Sequence, residues 1–467
     1  MSLMVSISGV RGIVGTSLTP EVVVRYASVF GQFCKRRQPK NPVIMLGRDG
    51  RITGRVFTNI VSSTLLSMGI DVRAIGVCPT PTIALAVEHS DAVGGISVTA
   101  SHNPIEWNGL KFMGSNGQFL DGDENKELQD ILERNDPPYA SWSSLGNHSV
   151  ADFWIRKHID SVLGLRYINS ALLKKRRFKV VVDCVNAAGG GIVPTLLREL
   201  GCEVIEMNCD VSGVFAHTPE PLPENLTELA ARVKLEKADL GIAVDPDVDR
   251  LVFITERGEP YGEEYTVTSA VKFVLEKERR KNGGERRPEK VVVNLSTTRA
   301  VEDIAAQHSA EVFRTPVGEI NVAKRMKEVN AIIGGEGSGG VILPEAHLGR
   351  DALVGIGLIL QMLAEFGGTL SELRASLPSY SIAKDKITLG NTSPDAVLKR
   401  IEISANNAGR INTDDGLRID YSDHWVHLRK SNTEPIIRVI AEARTMTDAV
   451  ATLEQFKKEI ATGVQIS

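Results

Sequence analysis

The sequence predicts an α/β protein of four domains, three built on a repeated strand–helix rhythm and a fourth of α+β type. Three observations predict it. The 467-residue chain is far longer than the size at which one hydrophobic core stops growing. Short apolar runs alternate with segments of helical spacing in three successive cycles, as far as Gly334. From Ser379 onward the rhythm gives way to short strands between two helices.

The first cycle has an apolar run at 43–46, helical spacing over 55–68, a strand at 71–76, a helix at 80–89 and a strand at 93–98. In the second, Lys179–Asp183 is followed by a helix near 194–200, a strand at 203–205, a helix over 226–235 and the strand Leu240–Val244. The third runs through 290–295, a helix over 299–307, a strand at 311–314, a helix over 320–329 and a strand at 331–334. Only the rhythm recurs, not residue identity, so the units form an internal repeat of architecture. The last region has strands near 382–389, 417–419, 425–428 and 436–442, with helices near 393–405 and from Thr447. The expected domains are 1–150, 151–255, 256–372 and 373–467. Residues 277–287, dense in charge around Gly283-Gly284, are expected to form a solvated loop.

Composition excludes several functions. Apolar content of 42% with charged content of 24% matches an ordinary globular protein, and no apolar stretch is long enough to span a bilayer. A formal charge of −4 over the whole chain supplies no field to draw in nucleic acid or an anionic membrane, so an anionic ligand needs a local basic site. Five cysteines, odd in number and without paired or zinc-type spacing, read as reduced thiols of a cytoplasmic protein.

Four loops carry the chemistry. Gly95-Ile96-Ser97-Val98-Thr99-Ala100-Ser101-His102-Asn103-Pro104 passes from a strand into small and polar residues, and Pro104 keeps Asn103 out of helical geometry. Ser101 is expected on an extended, presented loop, as a nucleophile or phosphate carrier; taken alone, the segment also reads as a plain strand-end turn. Asp245-Pro246-Asp247-Val248-Asp249-Arg250 lies between two apolar strands, and carboxylates at every second position turn to one side as hard oxygen ligands for Mg2+. A calcium loop fails here, because Arg250 stands where the sharp turn needs glycine. An aspartyl-phosphate phosphatase or phosphotransferase with Asp245 as nucleophile remains the alternative, although it leaves Ser101 idle.

Gly334-Gly335-Glu336-Gly337-Ser338-Gly339-Gly340 allows close backbone approach to a ligand, with Glu336 and Ser338 able to reach sugar hydroxyls; a simple tight turn is the other reading. Arg429-Lys430-Ser431-Asn432-Thr433-Glu434-Pro435, with Arg438 close behind, gathers guanidinium, hydroxyl and N–H donors suited to a phosphate dianion, unless Arg429 merely pairs with a neighbouring acid.

In this order the four loops resemble the signature loops of the α-D-phosphohexomutase superfamily, which includes phosphoglucomutases, phosphomannomutases and phosphoglucosamine mutases. Ser8-Gly9-Val10-Arg11-Gly12 and Gly47-Arg48-Asp49-Gly50-Arg51 add to the likeness. The resemblance implies four domains around a central cleft, three of them mixed-sheet α/β and the last phosphate-binding. It implies Ser101 as phosphoserine, with Arg11, His102, Lys111 and Arg250 as catalytic partners and Lys111 as candidate general base. The metal set is Ser101 with Asp245, Asp247 and Asp249; the substrate set is Glu336, Ser338, Arg429, Ser431, Asn432, Thr433 and Arg438. The implied reaction interconverts hexose 1- and 6-phosphates, with Mg2+ as cofactor and a sugar 1,6-bisphosphate as intermediate and activator. The partner is a small phosphosugar, without nucleic acid or membrane, in a monomer or homodimer.

Four positions depart from the family pattern. Val248 replaces a common glycine, Gly340 stands where many members have histidine, as Glu319 does where some have one, and Asn432 fills a usual glycine position.

Overall fold

The computed structural model describes residues 3–6, 9–134, 136–281, 288–390, 392–405, 409–430 and 436–465. These form four sheets. The first has seven strands, in the order Met4–Ser6, Gly9–Ile13, Trp107–Gly114, Gly94–Val98, Val43–Arg48, Asp71–Val77, His148–Val150. The second runs Leu251–Thr255, Leu240–Val244, Lys179–Asp183, Glu203–Met207, and the third Gly340–Ile342, Ile333–Glu336, Lys290–Asn294, Glu311–Thr315. The fourth is antiparallel throughout, in the order Ser381–Thr388, Ile436–Ala443, Trp425–Lys430, Leu417–Asp420, Arg410–Asn412.

The repeat lies in strand pairing. In each of the first three sheets, a strand paired in parallel with one neighbour turns back through a loop into an antiparallel strand on its other side. Gly94–Val98 does so with Trp107–Gly114, Leu240–Val244 with Leu251–Thr255, and Ile333–Glu336 with Gly340–Ile342. Those three turns are the serine loop, the acidic loop and the glycine-rich loop. Each lies at the carboxyl end of a strand in parallel register, where open α/β sheets collect ligands. One architectural position, used three times, thus builds three sides of one site.

Burial explains why the strands look as they do. Gly94–Val98, Leu240–Val244 and Leu251–Thr255 are buried at every residue, as expected for strands covered on both faces. The second and third units share one core, in which Val182, Ile242 and Phe253 of one sheet join Val291 and Ile333 of the next. The helix Ala352–Phe366, apolar on nearly every face, runs through that core and is N-capped by Asp351, which accepts from the N–H groups of Leu353 (2.8 Å) and Val354 (3.3 Å).

Part of the expected solvated loop is helix. Residues 277–281 close the helix Glu263–Lys281, and the rest of the charge run lies outside the described residues. The helix carries buried Glu264 and Glu278 on its packed side, so its charges mask its apolar periodicity. Among the described residues no helix is long and apolar enough to cross a membrane.

Candidate active site

Ser101 is neither extended nor presented. Its φ is +49° and its side chain is buried, a left-handed turn that non-glycine residues adopt only when their surroundings hold them there. Arg51 does the holding. Fully buried, it donates to the carbonyl oxygens of Ser101 and Asn103 (both 2.6 Å), Pro104 (2.7 Å) and Trp107 (2.8 Å). Its Nε reaches Asp49 at 3.1 Å, and the same carboxylate oxygen accepts from the Thr99 hydroxyl at 2.7 Å. Thr99 Oγ1 in turn accepts from the Ser101 N–H at 2.9 Å. The serine loop is thereby fixed at its backbone, and Ser101 Oγ donates to Asp245 Oδ2 at 2.9 Å.

The acidic loop meets it from the second unit. Oxygens of Asp245, Asp247 and Asp249, all three buried, lie within 4.8 Å of one another. Val248 between them has φ +62°, a conformation that costs a β-branched residue about 1–2 kcal/mol. The loop keeps the shape a glycine would give it. Thr80 of the first unit clamps it: its N–H donates to the Asp247 carbonyl and its hydroxyl to Asp247 Oδ2, each at 2.9 Å.

Two cations neutralise this cluster. Lys111 Nζ donates to Asp247 Oδ2 at 2.7 Å and lies 3.3 Å from Asp249 Oδ2. Arg350 donates to Asp249 Oδ2 at 2.6 Å, Glu336 Oε2 at 2.9 Å and Glu319 Oε2 at 3.0 Å. Burial opposes charge on Lys111, yet Asp247 and Asp249 raise its pKa above the ordinary value. Lys111, the candidate general base that the resemblance implies, is held as an ammonium ion by these two carboxylates in the ligand-free arrangement. Burial alone would raise Asp249, but Arg350, Lys111 and Arg250 hold it below the usual carboxylate range. Asp245 is pushed well up, by burial first and then by Asp249 and Asp247.

The donor set fits a small hard cation. Asp247 Oδ1 and Asp249 Oδ1 are buried without a hydrogen-bond partner, and three carboxylates converging on one point repel one another unless a cation joins them. Asp245 is a poor nucleophile here. Its Oδ1 accepts from the N–H groups of Asp249 and Arg250, both at 3.1 Å, while Oδ2 takes the Ser101 hydroxyl. The aspartyl-phosphate alternative finds no support.

Across Ser101 the sign of charge reverses. Arg11 donates to Asn103 Oδ1 at 2.8 Å, and Arg250 donates to Glu220 Oε1 at 3.3 Å. The Nε atoms of both arginines are buried without a hydrogen-bond partner. Burial, then Arg250 and Arg438, lower the pKa of Arg11. Burial, then Arg250 and Arg11, drive His102 down to about 2. His102 is therefore a neutral imidazole, its Nδ1 3.4 Å from Ser101 Oγ. Like charges gathered around Arg11 in this way leave an opening for an anion.

The remaining substrate residues divide. Glu336 is buried and held by Asn294 (2.7 Å), the Gly318 N–H (2.9 Å) and Arg350. The loop's glycines serve protein packing: a Cβ on Gly337 would sit 1.9 Å from the Glu264 carboxylate, and one on Gly340 would sit 2.3 Å from Arg350 Cδ. Ser338 is half-buried at the turn. Arg429 pairs with Asp415 at 2.9 Å, the salt bridge weighed against a phosphate role, and lies opposite exposed Arg438 in the antiparallel register. Ser8, Ser431, Asn432 and Thr433 lie outside the described residues. Sequence reasoning missed Thr80 and Arg350. Arg350 had one local signal, its position just before the Asp351 cap of a long apolar helix.

A buried hydroxyl between a carboxylate triad and an arginine cluster, framed by equivalent loops of a triplicated α/β unit, defines a phosphoryl-transfer enzyme with a composite cleft. Comparison with known proteins resolves the class. Models of phosphoglucomutase/phosphomannomutase α/β/α domains I, II and III match residues 4–138, 156–258 and 266–380, and the C-terminal domain model matches 386–461. A phosphoglucomutase/phosphomannomutase of Thermococcus kodakarensis is 38% identical over 447 residues, 96% of each chain. A phosphoglucosamine/phosphogalactosamine mutase of Sulfurisphaera tokodaii is 32% identical over 462 residues, 98% of this chain and 99% of its own. The crystal structure of a phosphoglucomutase/phosphomannomutase family protein from Burkholderia thailandensis superposes with a TM-score of 0.84 at 25% identity, covering 99% of this chain and 98% of that one. The chain belongs to the phosphoglucomutase/phosphomannomutase family, within the α-D-phosphohexomutase superfamily, and is an isomerase of the intramolecular phosphotransferase kind.

Proposed function

We propose that the enzyme interconverts the 1- and 6-phosphates of a hexose through phosphoserine at Ser101 and a sugar 1,6-bisphosphate intermediate. The observation that carries this reading is the position of Ser101 Oγ, 2.9 Å from Asp245 and facing the Arg11, His102 and Arg250 side. Asp245, Asp247 and Asp249 hold Mg2+, which, when bound, offsets charge on the transferring phosphoryl oxygens. Arg11 and Arg250 bind those oxygens from the opposite side, and neutral His102 adds a hydrogen bond without adding charge.

In the first half-reaction the 6-hydroxyl of a sugar 1-phosphate attacks the phosphorus of phosphoserine. The new P–O6 bond forms as the P–Oγ bond of Ser101 breaks, and Ser101 leaves as a hydroxyl once it has a proton. Lys111, the candidate general base, takes the proton of the 6-hydroxyl as its own ammonium proton passes on to the leaving Ser101 Oγ, so that one proton is lost by the sugar and one gained by the serine. After the bisphosphate turns end over end, Ser101 attacks the phosphorus at position 1 and the 6-phosphate is released. Glu336 and Ser338 orient sugar hydroxyls. Arg429, Ser431, Asn432, Thr433 and Arg438 hold the phosphate that is not reacting, with Arg429 exchanging Asp415 for it. Residues 1–150 thus carry the phosphate, 151–255 the metal, 256–372 the sugar and 373–467 the second phosphate. Water is excluded in the process, since open phosphoserine would hydrolyse.

Glucosamine, glucose and mannose phosphates are the hexoses in view, in line with the names of the relatives. The test is intact mass after incubation with a hexose 1,6-bisphosphate, with the modified residue located by fragmentation. Phosphate on Ser101 is expected; phosphate on Asp245, or none, refutes the mechanism. Parallel mutase assays on the candidate hexoses fix the substrate.

A further inference from the structure

Arg350 stands at the join between the metal loop and the sugar loop. Its backbone is anchored by the next residue: buried Asp351 caps the helix Ala352–Phe366 and also binds Nε2 of His158 (2.8 Å) and of His347 (3.0 Å). From that base the side chain passes over Gly340, which has no room for a Cβ beside it. Its three guanidinium nitrogens each take a different carboxylate: Asp249 of the second unit, Glu336 of the glycine-rich turn and Glu319 at the start of the helix Glu319–Val329. Asp249 Oδ2, used by Arg350, belongs to the same carboxylate whose Oδ1 is left unpartnered.

We propose that Arg350 is a positioning residue with two separable effects, resting on the Mg2+ and sugar assignments made above. As an internal counter-cation it limits how strongly Asp249 attracts Mg2+. As a planar fork it fixes the direction in which Glu336 faces the sugar. Charge carries the first effect and geometry the second, because an ammonium group keeps the charge but cannot span three carboxylates as a guanidinium does.

The test pairs calorimetric Mg2+ titration of the sugar-free protein with steady-state kinetics on a hexose 1-phosphate. Arg350→Gln removes a positive charge beside a metal ligand, so Mg2+ should bind at least about fivefold more tightly, the low end of ordinary coupling between two sites, while KM rises. Arg350→Lys should leave Mg2+ affinity within about twofold of wild type yet raise KM as much as the glutamine variant does. Gly340→Ala displaces the arm without altering its charge, and should raise KM in a protein with wild-type melting behaviour; it decides the matter if the Arg350 variants fail to fold. Wild-type protein that binds no Mg2+ overturns the metal reading together with this one. Wild-type binding with Arg350→Gln no tighter, or a wild-type KM in Arg350→Lys or Gly340→Ala, overturns the role of Arg350 alone.

Discussion

The two sides of Ser101 handle charge in opposite ways. On the acidic side Asp247 and Asp249, beside Asp245, meet cations from elsewhere in the fold: Lys111 from the first unit and Arg350 from the third. On the basic side burial, and then neighbouring arginines, lower the pKa values of Arg11 and His102, with Glu220 accepting from Arg250. The acidic side is offset only in part by its two cations before any ligand arrives, since Arg350 is shared with Glu336 and Glu319, and two of its carboxylate oxygens have no hydrogen-bond partner. The basic side has one acidic partner, Glu220 on Arg250, and leaves the Nε atoms of Arg11 and Arg250 without hydrogen-bond partners, which suits a ligand that arrives as a dianion and leaves again.

The largest effect should come from the atom between the two sides. Ser101→Ala removes the carrier oxygen and should lower turnover by several orders of magnitude, while circular dichroism and melting stay at wild-type values because Arg51 holds the loop through its carbonyls. Activity within tenfold of wild type would show that neither side acts through this hydroxyl. Next, Asp247→Asn breaks the acidic side alone: it removes a formal charge from Lys111 and from the cation position together. Mg2+ affinity should fall by at least the roughly tenfold that loss of an outer-shell partner costs a metal site, read by calorimetry. Unchanged binding would leave the triad without a metal role.

A smaller effect concerns the shape of the acidic loop. Val248 and Val244 are both buried, so replacing either by glycine loses about 1.5–3 kcal/mol of burial. Only at Val248 does glycine also relieve the left-handed strain of about 1–2 kcal/mol. Val248→Gly should therefore destabilise the protein less than Val244→Gly, by about that difference, in parallel denaturant titrations; equal losses would mean that the loop relaxes without strain. The smallest effect is an absence of change on the basic side. The imidazole of His102 should show no titration between pH 5 and 8 by NMR. His217, in contrast, whose pKa burial would lower but Asp183 lifts above the ordinary value, should protonate as pH falls through a midpoint above 6.5. A His102 midpoint near 6.5 would mean that the arginines are further away or already paired.

Local density of unusual residues made three sides of the site legible in the sequence. A serine between small residues, alternating aspartates and clustered glycines all mark turns at strand ends, and the threefold strand rhythm places them equivalently. What stayed hidden depends on partners far along the chain. Arg350 meets Asp249 from 101 residues away and Thr80 meets Asp247 from 167, and neither carries a periodic or compositional mark. Lys111 is a candidate base only through the family resemblance; its charge is set by two carboxylates that only the fold brings near. Burial of Ser101 escaped for the same reason: Pro104 speaks for the geometry of Asn103, while Arg51 decides that of Ser101. The charge run at 277–287 concealed the end of a helix because buried Glu264 and Glu278 break the apolar stripe.

The grip of Arg51 on four carbonyl oxygens of the serine loop has a kinetic corollary. A guanidinium cannot shed its proton at any physiological pH, so this tie does not loosen by titration, and the hydroxyl is expected to keep one position through a turnover. If phosphate is handed to both ends of a sugar from that position, the sugar must supply all of the travel. The slow coordinate would then be reorientation of a ligand that carries a phosphate at each end, and rate should follow ligand length more than the mobility of the serine loop.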